Sequence, residues 1–474
     1  MKYLSGFSRF LLLSWLAIYM TGCSNPNDSS TFTLERWLTD PGKNIFFQPQ
    51  SGLKEIIADS AVSVISIDTN RHFQIMDGFG YTLTGGSAIL LRKMPAPGRA
   101  ALLRELFGTE GTNIGVSYLR ISIGASDLSD HVFSYNDLPE GEFDPEMKRF
   151  SLDPDRENLI PVLKEILAIN PAIKIMGSPW SPPTWMKSNK NSKGGSLVPT
   201  HYDAYARYFV RYIQEMAQEG ISIDAITVQN EPLHPGNNPS LLMQATEQAT
   251  FIKKSLGPAF AEAGISTKII IYDHNADRPD YPISILNDPE AKKYIDGSAF
   301  HLYGGAIEAL SEVHELHPDK SIYFTEQWVG APGNMAGDIA WHTKNLIIGA
   351  TRNWARTVLE WNLASDPDQN PHTEGGCTEC LGAITIAPSG DITRNPSYYI
   401  IAHAAKFVRP GSVRIASNTP ASLPNVAFKT PSGKVVVIVH NDSNAPQMFR
   451  IEVNNQSFDL SLAAGAVETY LFHK

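Results

Sequence analysis

Three cysteines among 474 residues are too few to knit a disulfide scaffold. Basic charge is not in excess either: 39 Lys and Arg stand against 49 Asp and Glu, a formal net charge of −10. The chain therefore lacks the electrostatic footprint of a nucleic-acid binder. It has no internal repeat, no low-complexity tract and no H-E-x-x-H or comparable ligand spacing for a catalytic metal. Beyond the first two dozen residues no stretch approaches the ~18 consecutive apolar residues of a membrane helix. What is present is ordinary globular composition, 42% hydrophobic and 19% charged, with 8 Trp available for ring-stacking surfaces. The length suits one barrel-sized domain plus a smaller module.

At the N-terminus Lys2 and Arg9 precede the apolar run Phe10 to Met20, which has the shape of a secretory signal. It ends in Met20-Thr21-Gly22-Cys23, a sequence that resembles a bacterial lipobox. The expectation is a signal peptide over 1–22, a lipidated Cys23 and a polar tether over 23–32. The protein would then be an exported lipoprotein, periplasm-facing or on the cell surface, that meets the membrane only through this anchor. A plain signal peptide that happens to contain a cysteine is the competing reading. Cys377 and Cys380 form one C-x-x-C, which cannot supply four zinc ligands. In an oxidising compartment the pair reads as a local disulfide bracing a loop rather than a redox centre.

Between these ends strand-like and helix-like segments alternate. Eight strands are predicted: Gly78–Thr82, Ser117–Ile123, Lys174–Ser178, Ala225–Gln229, Lys268–Tyr272, Gly297–His301, Ser321–Thr325 and Thr357–Trp361. The spacing fits an α/β fold, a (β/α)8 TIM barrel over 77–405, because polar and aromatic residues gather at the C-terminal ends of many strands. A doubly wound sheet would concentrate them at one switch point. His201 to Glu219 reads as a helix that stops at Gly220. After about Lys406 the period changes to two, with strands predicted at Lys434–His440, Gln447–Val453 and Glu468–Phe472, joined by turns at Asn441–Pro446 and Asn454–Ser457. Three strands alone are marginal. The segment 33–76, including a hairpin predicted from Val62–Ile67 and Phe73–Ile75, is therefore expected to join 406–474 in one β-sandwich.

The chemistry falls at two strand ends. The fourth strand runs into Gln229-Asn230-Glu231-Pro232 and the seventh into Thr325-Glu326-Gln327-Trp328. In a barrel both carboxylates project from the catalytic face. Two carboxyl groups facing a sugar ring are the minimum equipment for glycoside hydrolysis: one protonates the leaving oxygen, the other attacks or activates water. A nucleophilic carboxylate must stay ionised, and Arg120 on the second strand is the candidate cation.

These motifs, taken with Asp77-Gly-Phe-Gly80, Leu119-Arg120-Ile121, Ser178 to Lys187, His301-Leu-Tyr303 and Trp361-Asn-Leu-Ala364, resemble the glucosylceramidase family of retaining β-glycosidases, glycoside hydrolase family 30. The resemblance runs from about Thr33 to Lys474. It implies a TIM barrel with a β-sandwich built from both chain ends, Glu231 as general acid/base and Glu326 as nucleophile, and no metal or organic cofactor. It further implies that Asn230 hydrogen-bonds the sugar 2-hydroxyl, and that Asp127, Trp180, His301, Tyr303 and Trp361 bind the glycosyl unit. Arg120, Trp185 and Asn362 support them. For Trp185 a loop-capping role competes, and for His301 a role behind Glu326. Ile271 to Asn275, Arg278 to Pro282 and Gly375 to Cys380 resemble the branch containing endo-β-1,6-glucanases. The implied partner is a β-glucan, oligosaccharide or glucoside. Glucosylceramide hydrolysis and exo-β-glucosidase action are the alternatives. A non-catalytic glycan-binding lipoprotein is the reading from another class, though a pure binder gains nothing from a second, unpaired acid.

Overall fold

The computed structural model describes residues 33–51 and 62–473. The expected signal peptide, Cys23 and tether lie outside the described residues. Eight parallel strands close a barrel in simple sequential order. We number them β1 (Gly78–Thr82), β2 (Tyr118–Ser122), β3 (Lys174–Ser178), β4 (Ala225–Thr227), β5 (Lys268–Ala276), β6 (Ile295–Gly305), β7 (Ser321–Glu326) and β8 (Ala355–Asn362). All eight were anticipated, although β4 stops two residues short of Gln229 while β5 and β6 run longer than expected. The helix Tyr202–Gln218 after β3 buries Tyr205, Tyr208, Phe209, Tyr212 and Met216 against the barrel, as their helical spacing requires.

Strand alternation decides what fills the interior. Side chains two residues apart share a face, so inward positions form layers. One layer is apolar: Tyr118, Met176, Ala225, Ile270, Ala299, Tyr323 and Leu359 pack as a closed cluster. Two residues further along most strands come Arg120, Ser178, Thr227, His301, Thr325 and Trp361, all buried. The polar layer thus rests on an apolar plug and faces the C-terminal mouth. On β5 the register breaks between Tyr272 and His274, both Tyr272 and Asp273 having positive φ. This bulge sends Tyr272 outward against Tyr281, ring centroids 5.0 Å apart, and turns Asp273 inward.

The second unit is one nine-stranded sheet that curls over its own core of Ile65, Val437, Ile451, Leu460 and Phe472. Its opposite face, with Val436, Ile438 and Leu471, joins the barrel's core. Both chain ends contribute: Thr33–Asp40 pairs with Val467–His473, and Ser63–Ile75 lies between Val413–Ser417 and Gln447–Val453. The expected hairpin at 62–75 is corrected: Ser63–Ile75 is a single strand. It bulges where Ile415 pairs with His72 and the next residue, Ala416, with Asp68. The intervening polar run, Thr69 to Arg71, imitates a turn in sequence but is spent on the bulge. Strands at Val413–Ser417, Asn425–Lys429 and Gln456–Leu462 were not anticipated. Buried His403, on the helix Pro396–Ala405, bridges the two units through Thr39 (2.8 Å) and Thr469 (2.9 Å).

Candidate active site

A cleft of about 650 Å³ opens at the C-terminal mouth of the barrel, and both glutamates line it. One carboxylate oxygen of Glu231, one of Glu326 and a ring nitrogen of His301 lie within 4.8 Å of one another. Glu326 ends β7, while Glu231 follows β4 in a left-handed backbone conformation, φ 45°, and its N–H donates to the Asp273 carbonyl at 3.0 Å. A non-glycine residue held at positive φ signals backbone strain fixed by its surroundings, a common mark of a reacting group.

The buried layer beneath supplies the charge balance. Arg120 is fully buried; its Nη1 donates to Glu326 Oε2 at 2.5 Å, and its Nη2 to Asp273 at 2.8 Å and to Asn230 Oδ1 at 2.6 Å. Tyr303 donates its hydroxyl to the other oxygen of Glu326 at 3.0 Å. Asp273 also accepts from Thr227 (2.7 Å), Thr325 (2.6 Å) and His301 Nε2 (3.1 Å). Burial opposes its charge, but Arg120 and the His301 hydrogen bond hold it well below the ordinary carboxylate value. His301 Nδ1 donates to Glu231 Oε1 at 3.2 Å. Burial works against the imidazolium, yet Glu326 and the bonds to Asp273 and Glu231 raise it to about 9.

The two glutamates therefore differ. Burial pushes Glu326 up; His301 and Arg120 pull it back, but Glu231 and Asp273 add to the rise and it stays above the usual value. Burial also acts on Glu231, but the hydrogen bond and charge of His301, helped by His274 and His234, hold it below. In the free cleft the shared proton thus sits on the histidine side of the Glu231 hydrogen bond. Glu231, His301 and Glu326 are also the group of possible metal ligands among the described residues. Both His301 nitrogens already face carboxylates, and Glu326 is engaged by Arg120 and Tyr303.

Asp127, Trp180, Asn230, Tyr303 and Trp361 come together on this cleft as expected, with Cys377 and Cys380 in its wall as a disulfide. Trp180 and Trp361 are nearly buried, 5.4 Å apart by centroid, and the Arg120 guanidinium sits 4.8 Å and 5.8 Å from their rings. One expectation is corrected, and two supporting residues are placed behind the cleft. His301 is wholly buried and absent from the cleft lining, so it touches carboxylates rather than sugar. Trp185 packs in the barrel's outer core, its indole N–H on Asn136 Oδ1 at 2.9 Å, and does not reach the cleft. Asn362 accepts from Ser87 at 2.9 Å and donates to the Cys380 carbonyl at 3.5 Å, tying the loop after β8 rather than facing the cleft. Asp273 was missed, as were His234, His274, Trp328 and Trp341 of the cleft lining.

A closed (β/α)8 barrel with paired carboxylates at the ends of its fourth and seventh strands defines a glycosidase. Residues 76–408 match the Glycosyl hydrolase family 30 TIM-barrel domain and residues 411–470 the Glycosyl hydrolase family 30 beta sandwich domain; the chain belongs to this family. It is 34% identical over 400 residues, 79% of this chain and 80% of the relative, to the endo-1,6-beta-D-glucanase neg1 of Aspergillus fumigatus. It is 31% identical, over 80% of this chain and 76% of the relative, to putative glucosylceramidase 1 of Caenorhabditis elegans. The solved endo-beta1,6-glucanase BT3312 superposes with a TM-score of 0.86 at 34% identity, covering 93% of this chain and 99% of that one.

Proposed function

We propose that the protein hydrolyses β-1,6-linked glucan with retention of configuration, Glu326 acting as nucleophile and Glu231 as acid/base. The observation that carries this reading is the closeness of the two carboxylates, oxygens within 4.8 Å across one cleft. Retaining enzymes hold theirs about 5–5.5 Å apart, whereas inverting ones leave room for a water at roughly 6.5–9.5 Å. Asp127, Trp180, Asn230, Tyr303 and Trp361 bind the glycosyl unit. Arg120 occupies the Asn230 amide oxygen, leaving Nδ2 to donate to the 2-hydroxyl.

The first displacement needs a protonated Glu231 and an ionised Glu326. One proton shift along the 3.2 Å His301–Glu231 hydrogen bond provides the first, and the bonds from Arg120 and Tyr303 hold the second. Moving the Nδ1 proton onto Glu231 leaves a neutral imidazole that still donates Nε2–H to Asp273, and it removes the cation that held Glu231 down. Glu326 keeps the permanent charge of Arg120. A Glu326 oxygen then bonds the anomeric carbon as the aglycone oxygen departs with the Glu231 proton. In the second step Glu231 takes a proton from water, whose oxygen attacks the same carbon and frees Glu326.

β-1,6-Glucan is favoured as substrate by the relatives named above and by the loop segments after β5 and β8. Incubation with β-1,6-glucan, gluco-oligosaccharides and glucosylceramide tests it. Oligosaccharide release with the β-anomer appearing first in NMR spectra is expected. Faster release of ceramide than of oligosaccharides would favour the glucosylceramidase reading instead, and an α-anomer first would overturn retention. The same proposal includes export and lipid attachment at Cys23, supported by the segment before it. Mass spectrometry of the mature N-terminus should find diacylglycerol on Cys23, and an unmodified residue there would reject the anchor.

A further inference from the structure

The disulfide in the cleft wall has no part in the proposed reaction, yet its loop reaches two sides of the site. Thr373 donates its N–H to the Asp127 carbonyl at 2.9 Å, and Cys377 lines the same cleft as the Asp127 carboxylate. Gly376 lies so close that a Cβ added there would sit 2.3 Å from that carbonyl oxygen. At the other end Cys380 pairs as a short strand with Gly330, four residues beyond Glu326. Cys377 and Cys380 also pack with Leu128, Trp180, Trp361 and Trp328. The bridge therefore connects the segment after β2, which carries Asp127, with the segment after β7, which follows the nucleophile.

Asp127 shows what this connection holds in place. Its carboxylate is buried, lines the cleft, and has one oxygen, Oδ1, with no hydrogen-bond partner. Burial, with the charges of Glu326 and Glu231, raises it to about 7. A buried acceptor left unmatched is costly, so such a group awaits a donor from the ligand. A bridge closing so short a loop constrains the unfolded chain less than a long one, which points to local placement rather than global stability.

We infer that the Cys377–Cys380 disulfide is a positioning element for substrate: it fixes the Asp127 carboxylate in register with the glycosyl hydroxyls and backs the Trp180–Trp361 wall. This rests on the reading of the cleft as a glycosidase site. The test is a cycle of C377S/C380S, D127A and the triple variant, assayed on an aryl β-glucoside with a good leaving group, alongside thermal melting. The double serine variant should raise KM roughly tenfold with kcat within about threefold. The same two serines should change KM less than about twofold when Asp127 is already Ala, because coupled residues do not add. An unchanged KM in the double variant, or full additivity in the triple, overturns the inference. If the double variant does not fold, Gly376→Ala probes the same contact with the disulfide intact, and a wild-type KM there counts equally against it. Failure of the underlying reading is distinguishable, since E326Q would then retain activity whatever the serines do.

Discussion

The barrel and the sandwich each pair an arginine with a buried glutamate beside a cavity, yet they are built for different ends. In the sandwich Arg36 meets Glu468 at 2.9 Å, Tyr470 donates to the same carboxylate at 2.7 Å, and a cavity of about 490 Å³ lies alongside. Among the described residues no aromatic side chain lines that cavity. Burial raises Glu468, with Arg36 and Tyr470 pulling back. In the barrel Arg120 serves two carboxylates, and a third, Glu231, stands across the cleft against titratable histidines, His301 at 3.2 Å and His274 at 4.0 Å. An ion pair on a buried glutamate beside a hollow is thus only architecture. Chemistry requires two acids whose protons are governed by different partners, with rings to hold a sugar between them.

The contrast is sharpest when the anions are neutralised one at a time. Glu326→Gln should lower kcat on any β-glucoside by about 10⁴-fold or more, as loss of a covalent nucleophile does. Glu231→Gln should cost about 10²–10⁴-fold with poor leaving groups and far less with activated aryl glucosides, which need little protonation. Comparing the two substrate classes on one variant separates acid from nucleophile. Tyr303→Phe removes one of the hydrogen bonds to Glu326 and should reduce kcat/KM by about tenfold, the worth of a bond to a charged group. Glu468→Gln should leave steady-state rates within about twofold while lowering the urea midpoint, since it neutralises the buried carboxylate that both Arg36 and Tyr470 bond, at about 1–3 kcal/mol. A large activity loss there would erase the distinction between the two centres.

A pH experiment probes the same difference. His301 binds its proton more tightly in the folded chain, with a value of about 9 against the ordinary 6.5. Its contribution to stability is complete below pH 6.5 and is lost as pH rises towards and through 9. Urea midpoints measured from pH 6 to 10 should therefore fall, and fall less steeply in His301→Gln. An equally steep fall in that variant would mean that the imidazolium is not the group responsible.

Much of this was legible in the sequence because strand alternation and local motifs report it directly. Eight β-branched or apolar runs gave the barrel, and Asn-Glu-Pro with Thr-Glu-Gln-Trp marked the two acids. The turn at Asn454-Asn455 was also visible; both residues have positive φ, as tight hairpins demand. What stayed hidden depends on register. Asp273 lies within a quoted segment, yet plain alternation from Ile270 directs Tyr272, not Asp273, into the barrel. Only the bulge reverses that. A clue existed all the same: an aspartate inside an Ile-rich strand needs a cation, and Arg120 occupies the matching layer of a nearby strand. His301 was ambiguous because sugar contact and carboxylate contact favour the same residue type, and only burial tells them apart. The strand Ser63–Ile75 was misread because its polar middle has turn composition, and the edge strand Gln456–Leu462 because its alternation is weak.

The irregularity in β5 has a consequence for how this centre can vary. Point substitutions change a side chain but leave the strand's phase intact, whereas loss of Asp273, the residue left unpaired at the bulge, would restore plain alternation and rotate the Tyr272 phenol ring into the space of the carboxylate. Arg120 would then confront an aromatic face with half its counter-charge gone, and the imidazole beside it would lose the anchor for its far nitrogen. The acid on the neighbouring loop also hangs its main-chain N–H from this kink. One surplus residue in a strand wall thereby fixes orientation, charge and backbone conformation together, and a variant shortened there should keep its barrel and lose its chemistry.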